Sequence, residues 1–370
     1  MMYEFLFLLF VFQSCILFYY SYHALITNVH RKHKHINLNY YKFKIYQNSE
    51  KNINSDEEKM KLVTSIDSCG FLKNIVEYGN NRMARRAVGV LQKMPAYRIR
   101  PQEEHYTQTI WACEKSSSYN LAISVYDEMK MNGIPRSLST YEALMSVTEK
   151  TGHYNDNINY FNYMIDDGYI GTTEIYNIYL MSLQKNGEYE KLFEVLNNMK
   201  DKNINRDVTT YTACILACEN HNNGLQALLM LDKMIEDDIN YNTVTCNGAL
   251  WACVKSGYYL HALQLYEKMM LAYNIKPDEN TYNAVIWACE QAGDATKAVT
   301  FLKLMKFDGF QRQTMSFDGV LSTLNKVNDW KEMVEIWSWM RIDQVDKSPI
   351  SYRLLIDALD RHDEKKLIGE

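Results

Sequence analysis

A residue type placed at a constant interval constrains this chain more than its composition does. Tyr106, Tyr141, Tyr176 and Tyr211 are followed by Cys246 in the same slot, then by Tyr282, Phe317 and Tyr352. Successive gaps are 35 residues, with one gap of 36. Methionines keep the same beat at Met94, Met129, Met164, Met199, Met234, Met269, Met305 and Met340. Two unrelated residue types locked to one period predict a solenoid, built from units that cannot bury their apolar faces alone.

Each unit holds two amphipathic helical segments with apolar residues at three- and four-residue steps, as in TCNGALWACVKSG and YYLHALQLYEKMMLAYNIKPD. Gly152, Gly187, Gly257 and Gly293 share the slot that ends the first segment, where a positive φ suits a helix C-terminus. Gly133, Gly168 and Gly309 share the slot that ends the second. Small Ala112, Ala217, Ala252 and Ala288 allow close helix approach, and Cys113, Cys218, Cys253 and Cys289 follow them directly. Cysteines fixed at one repeat position are expected to be buried packing residues. The eight cysteines form no CxxC pair, and the nine histidines form no spaced cluster with them, so neither a metal nor a cofactor is expected.

A chain of 370 residues is longer than one core usually supports. Apolar residues make up 47%, against only 15 Gly and 5 Pro, which favours helix. Residues 1–26 read as a signal peptide or signal anchor, because Phe5 to Tyr20 is an uncharged apolar run short for a membrane span. Cleavage leaves no stable membrane span in the mature protein. Residues 27–67 are a basic, transit-like or disordered segment; Leu25 to Ser49 carries Arg31, Lys32, Lys34, Lys42 and Lys44 and no acid. Residues 68–359 form the repeat domain and 360–370 a charged tail.

The segment TYNAVIWACEQAGDATKAVTFLKLMKFDGF resembles a pentatricopeptide repeat, whose 35-residue period separates it from the 34-residue tetratricopeptide family. The resemblance implies an all-α fold, an α-solenoid of stacked antiparallel helix pairs in about eight repeats that wind into a right-handed superhelix. It also implies binding of single-stranded RNA, one base per repeat, on the concave face. The leader resembles the bipartite leader of proteins sent to the relict plastid (apicoplast) of apicomplexan parasites, with the mitochondrion as the alternative destination.

In that family the residue after the Tyr slot and the last residue of the repeat converge on one base edge. The pairs are Thr107 with Ser137, Glu142 with Thr172, Asn177 with Asp207, Thr212 with Asn242, Asn247 with Asp278, Asn283 with Gln313 and Asp318 with Ser348. By resemblance, Asn177/Asp207 and Asn247/Asp278 favour U and Thr212/Asn242 favours A, which gives a central UAU. Asn283/Gln313 leans to a pyrimidine and Thr107/Ser137 to a purine; the other two pairs are unassigned. Asn and Asp are also common helix-start residues, which offers a purely structural account of any one pair. The second residue of each repeat clamps the base, a role that Thr209, Val244, Met315 and Ile350 fit and Glu104, Ser139, Glu174 and Asn280 do not. Lys115, Lys150, Lys185, Lys255 and Lys326 share a slot that faces the RNA backbone in the family, interrupted by Asn220 and Gln291.

The net charge of −5 lacks the bulk basic signature of nucleic-acid binders, so any phosphate contact must come from a local lysine column. Neither the HxE with CxxC of a zinc deaminase nor a carboxylate cluster outside the repeats is present, so no enzyme and no small-molecule substrate are expected. A protein-interaction scaffold is the alternative, since helical solenoids hold peptides as readily as RNA. Aromatic Trp339 and Tyr163, in a slot usually filled by a solvated Glu, point to a homodimer or another protein partner alongside RNA.

Overall fold

The structure, a computed structural model, describes residues 68–272 and 274–368, with side chains described as far as residue 360. The leader assignments on 1–26 and 27–67 lie outside the described residues. Regular structure among the described residues is all helical, with no strand. The chain divides into two compact units between Val147 and Thr148.

The first unit holds α1 (Ser68–Asn80), α2 (Ala84–Lys93), the short 3-10 turn Met94–Tyr97, α3 (Glu103–Lys115), α4 (Tyr119–Met131) and most of α5 (Leu138–Lys150). The second continues with α6 (Tyr154–Asp166), α7 (Thr173–Asn186), α8 (Tyr189–Asp201), α9 (Val208–Asn220), α10 (Gly224–Glu236), α11 (Thr243–Lys255) and α12 (Tyr259–Leu271). It ends with α13 (Glu279–Ala292), α14 (Ala295–Phe307), α15 (Thr314–Val327), α16 (Trp330–Ile342) and α17 (Pro349–Ile368). Helix α17 runs through residues 360–368, which the sequence set apart as a tail; no glycine or proline interrupts it before Gly369. No helix of the described residues is long and apolar enough to cross a membrane.

Odd-numbered helices are the first of each pair and even-numbered helices the second. Within the first unit α1 packs on α2 and α3; within the second α9 packs on α10 and α11, and α13 on α14 and α15. Each is therefore a stack of antiparallel helix pairs, an α-solenoid architecture, in which most helices of 13 or 14 residues gain stability from their neighbours. The Met column is fully buried from Met94 to Met340, and the aromatic slot is buried at Tyr106, Tyr141, Tyr176, Tyr211, Tyr282 and Phe317. A buried phenol needs a partner for its hydroxyl. Tyr211 and Tyr282 find it at the end of the second helix of their own pair, donating to Asp237 and Asp308, and Tyr106 donates to Glu128 at 3.3 Å. Tyr352 in the same slot is exposed.

Every helix-pair turn is made by a left-handed residue. Gly152, Gly187, Gly257 and Gly293 have φ between 73° and 84°, and the slot holds Ser117, Asn222 and Asn328 elsewhere, also with positive φ. The turn between pairs uses Gly133, Gly168 and Gly309, and elsewhere Arg98, Asn203, Asp238, Asn274 and Gln344, the last at φ 55°. A side chain in this region costs about 1–2 kcal/mol. Gln344→Gly is expected to raise the urea midpoint, by about 0.5–1 kcal/mol of stability after the entropy of an added glycine is subtracted. Gly309→Ala, where φ is +86° and the space is open, should lower it.

The cysteine column is buried at Cys113, Cys218, Cys253 and Cys289, as its position required. Desolvation pushes the thiols of Cys113, Cys253 and Cys289 up to about 12 and that of Cys218 to about 11. Above an ordinary thiol value near 9.0, the unfolded chain sheds these protons while the folded chain keeps them. Stability is thus expected to hold through neutral pH and to fall from about pH 9 upward, a trend that urea midpoints across pH 7–11 check.

One slot breaks the pattern of the stack. Thr109, Leu144, Cys214, Ala249, Val285 and Val320 occupy a position that Tyr179 fills in α7. Its ring stacks on Phe161 at 3.8 Å and 4°, and a cleft of about 390 Å³ opens beside Tyr176 and Val195.

Candidate nucleic-acid interface

The last residue of each repeat is the N-cap of the following first helix, a location that fixes where both members of each sequence-derived pair lie. Asp207, Asn242 and Asp278 accept the backbone N–H of Thr210, Thr245 and Thr281 at 2.9, 2.8 and 2.8 Å. Helix starts thus explain these residue types on structural grounds, and the pairs must be judged by what else the same side chains do.

Two pairs show the same geometry. Asn177 Nδ2 donates to Asp207 Oδ1 and Oδ2, both at 3.0 Å, and Asn247 Nδ2 donates to Asp278 Oδ1 at 2.9 Å. Each asparagine is 7% exposed, whereas Asp207 is exposed and Asp278 half-buried. The carboxylate therefore serves as helix cap and amide partner together, at the solvent edge of a buried amide. The unassigned pair Asp318 and Ser348 is also joined, with Ser348 Oγ donating to Asp318 Oδ2 at 2.7 Å.

In the first unit Thr107 and Ser137 meet through a third residue. Thr107 Oγ1 and Ser137 Oγ donate to Glu103 Oε1 at 2.8 and 2.5 Å. Two other pairs are not joined by a hydrogen bond. Thr212 Oγ1 donates to Val208 O of its own helix at 2.6 Å, and Asn242 serves as cap alone. Asn283 accepts from Ser316 Oγ at 2.7 Å, while exposed Gln313 makes no side-chain cap bond.

The clamp slot is open to solvent. Val244, Met315 and Ile350 are 55%, 52% and 56% exposed, and Thr209 is exposed too. Glu104, Ser139, Glu174 and Asn280 are also exposed.

The lysine column is exposed at Lys115, Lys150, Lys185, Lys255 and Lys326, but part of it is engaged within the repeats. Lys255 Nζ lies 2.8 Å from Glu219 Oε1, Lys326 Nζ donates to Glu290 O at 2.8 Å, and Lys115 Nζ donates to Asn80 Oδ1 at 2.6 Å. An exposed ion pair of this kind is worth about 0–1 kcal/mol, so a phosphate can compete for it.

Three features escaped the sequence reading. In six of the eight repeats the residue before the Tyr slot is a hydroxyl, Thr140, Thr210, Thr245, Thr281, Ser316 or Ser351, with His105 and Ile175 in the other two, a column legible at the same period. Thr210, Thr281 and Ser316 donate to the base-slot amides of Asn177, Asn247 and Asn283 at 2.6, 2.6 and 2.7 Å. Trp111, Trp251 and Trp287 fall four residues after the base slot, one helical turn along the same face. Trp251 and Trp287 meet edge to face at 5.4 Å, and Trp287 is 42% exposed. Glu103, which gathers Thr107 and Ser137, had no periodic signal.

The expectation of an open aromatic at Trp339 needs correction. Arg312 and Lys303 lie 5.2 and 5.3 Å from its ring, so cations of the preceding pair cover it and it is half-buried. Tyr163 is exposed, with an edge contact to Tyr160. Among the described residues no group of three or more His, Cys, Asp or Glu could hold a metal ion.

Comparison with known proteins agrees with this architecture. Residues 198–361 match the pentacotripeptide-repeat region of PRORP, 172–220 a PPR repeat family and 89–151 a pentatricopeptide repeat domain. No curated protein sequence matches the chain. Among solved structures, the maize pentatricopeptide repeat protein PPR10 is 22% identical at a TM-score of 0.47, over 78% of this chain and 46% of that one. The PPR domain of Arabidopsis thaliana protein-only RNase P 1 in complex with tRNA is 16% identical at 0.46, over 50% of this chain and 97% of that one. The chain thus spans about half the length of the maize protein. With three repeat models matched across both units, and with the helix pairs, turns and slots that those repeats require, the chain belongs to the pentatricopeptide-repeat family.

Proposed function

We propose that this protein binds single-stranded RNA in a sequence-preferring way, with one base per repeat meeting the residue after the Tyr slot and the N-cap of the next first helix. The observation that carries this is the repeated amide–carboxylate pair, Asn177 with Asp207 and Asn247 with Asp278, set at the edge of otherwise buried helices. An amide and a carboxylate together supply the donors and acceptors that a Watson–Crick edge demands. Thr212 with Asn242, between them, completes a UAU-type site.

Val244, Met315 and Ile350 present apolar surface for stacking, worth about 1–3 kcal/mol per base. The exposed lysines neutralise a few phosphates while acids elsewhere keep the net charge at −5. Binding of this kind acts by occupancy. Coating a short AU-rich segment shields RNA ends from exonucleases, and no group on the protein has to react. The leader would carry this activity to an organelle, the plastid first, where its transcripts are the substrate.

The test is fluorescence anisotropy with a short single-stranded RNA carrying UAU, against a scrambled RNA, the same RNA in duplex, and DNA. Tightest binding to the UAU strand is expected. Equal affinity for all four would remove the sequence-reading claim.

A further inference from the structure

Each base-slot amide is held from behind by a hydroxyl that belongs to the next repeat. Thr210 Oγ1 donates to Asn177 Oδ1 at 2.6 Å, Thr281 Oγ1 to Asn247 Oδ1 at 2.6 Å, and Ser316 Oγ to Asn283 Oδ1 at 2.7 Å. All three hydroxyls are buried. Where a threonine holds the slot, the backbone N–H of Asp207 donates to Thr210 at 3.1 Å and that of Asp278 to Thr281 at 3.0 Å, and the same hydroxyls lie 3.1 and 2.9 Å from Oδ1 of those carboxylates. The amide oxygen, at 2.6 Å, is the nearer of the two acceptors, so the single proton of each threonine points to the amide.

That proton acts together with the acceptor-only carboxylate in setting which way the amide faces. A primary amide is nearly symmetric in shape but opposite in chemistry at its two ends, and either end could face the pocket. With Oδ1 held by the hydroxyl, Nδ2 is turned toward the carboxylate. At Asn283, whose partner slot holds Gln313, the Ser316 contact to Oδ1 is present without a carboxylate.

We infer that Thr210, Thr281 and Ser316 are positioning residues for base specificity, each locking the amide of the preceding repeat in one orientation. This rests on the RNA-binding function proposed above. U and C present opposite donor and acceptor patterns at N3 and at the C4 substituent. A locked amide separates them, and an amide free to turn satisfies either.

The experiment measures binding of the full chain to four RNAs that differ only at the base assigned to Asn247. The proteins are the unaltered chain, Thr281→Val, which keeps the shape and loses the hydroxyl, and Thr281→Ser, which restores it. The expected result is a U-over-C preference in the unaltered chain and in Thr281→Ser, falling to within about threefold in Thr281→Val. A merely structural role would weaken all four RNAs alike and leave their ratio unchanged, and that result overturns the inference while the binding function stands. No base preference in the unaltered chain would instead defeat that function and the inference with it. Thr210→Val, read at the base of Asn177, supplies the same test at a second repeat should Thr281→Val fail to fold.

Discussion

Replacing Asn247 by Thr is expected to move the preference at one RNA base from U to G by about tenfold or more, some 1.4 kcal/mol, and to leave neighbouring bases as they were. The direction follows from the family pattern for Thr with Asp. The fold should survive the change, because Thr107 already occupies the same slot and meets the hydroxyl of Thr140 at 2.8 Å. Thr281 would then face a hydroxyl at Asn247's position much as Thr140 does in the first unit. Competition binding with RNAs varied at single positions reads the effect. A drop in affinity with unchanged preference would place Asn247 in packing rather than in base recognition.

Gly224→Ala is expected to destabilise the protein by about 1–3 kcal/mol, even though repeat averaging recommends a large residue there. Tyr119, Tyr154, Tyr189, Tyr259 and Trp330 fill the equivalent slot at the start of other second helices. At Gly224 an added Cβ would lie 2.7 Å from Cys253 Cα, 3.0 Å from Cys253 N and 2.8 Å from Ser256 Oγ. Two of those contacts are backbone, which cannot swing aside as a flexible side chain would. Gly224 N–H also donates to Ser256 Oγ at 2.7 Å, so the close approach of α10 to α11 is hydrogen-bonded as well as packed. Tyr189 shows the other solution: its ring packs against His221 and its hydroxyl reaches Cys218 Sγ at 3.8 Å. Urea midpoints of Gly224→Ala and of Ala295→Gly, an exchange in the same slot of α14, separate this local clash from a general helix-start effect.

Most of the architecture was legible before any coordinates. Periodic Tyr and Met residues give the buried columns, and glycines at fixed slots give the left-handed turns, because both requirements repeat with every helix pair. The residues after the Tyr slot and at the repeat ends were legible as residue types, and the structure adds that Asp207 and Asp278 are helix caps. Other features depend on the neighbour across the interface and leave weaker traces. Glu103 joins Thr107 and Ser137 only once. Trp339 reads as an open aromatic until Arg312 and Lys303 are placed over it. The hydroxyl column at Thr210, Thr281 and Ser316 was visible at the repeat period, but its role needs the distance to the preceding repeat's amide. Tyr179 fills a slot that mostly holds smaller residues, and its stacking on Phe161 depends on the neighbouring helix pair.

Selection of RNA from a randomised single-stranded pool tests most directly the claim that neighbouring repeats meet neighbouring bases. A contiguous UAU core should be enriched by the unaltered chain, and the third base of that core alone should change when Asn247 is Thr. A pool recovered without any common core, or the same core recovered after Asn177, Thr212 and Asn247 are all replaced by alanine, would contradict the account.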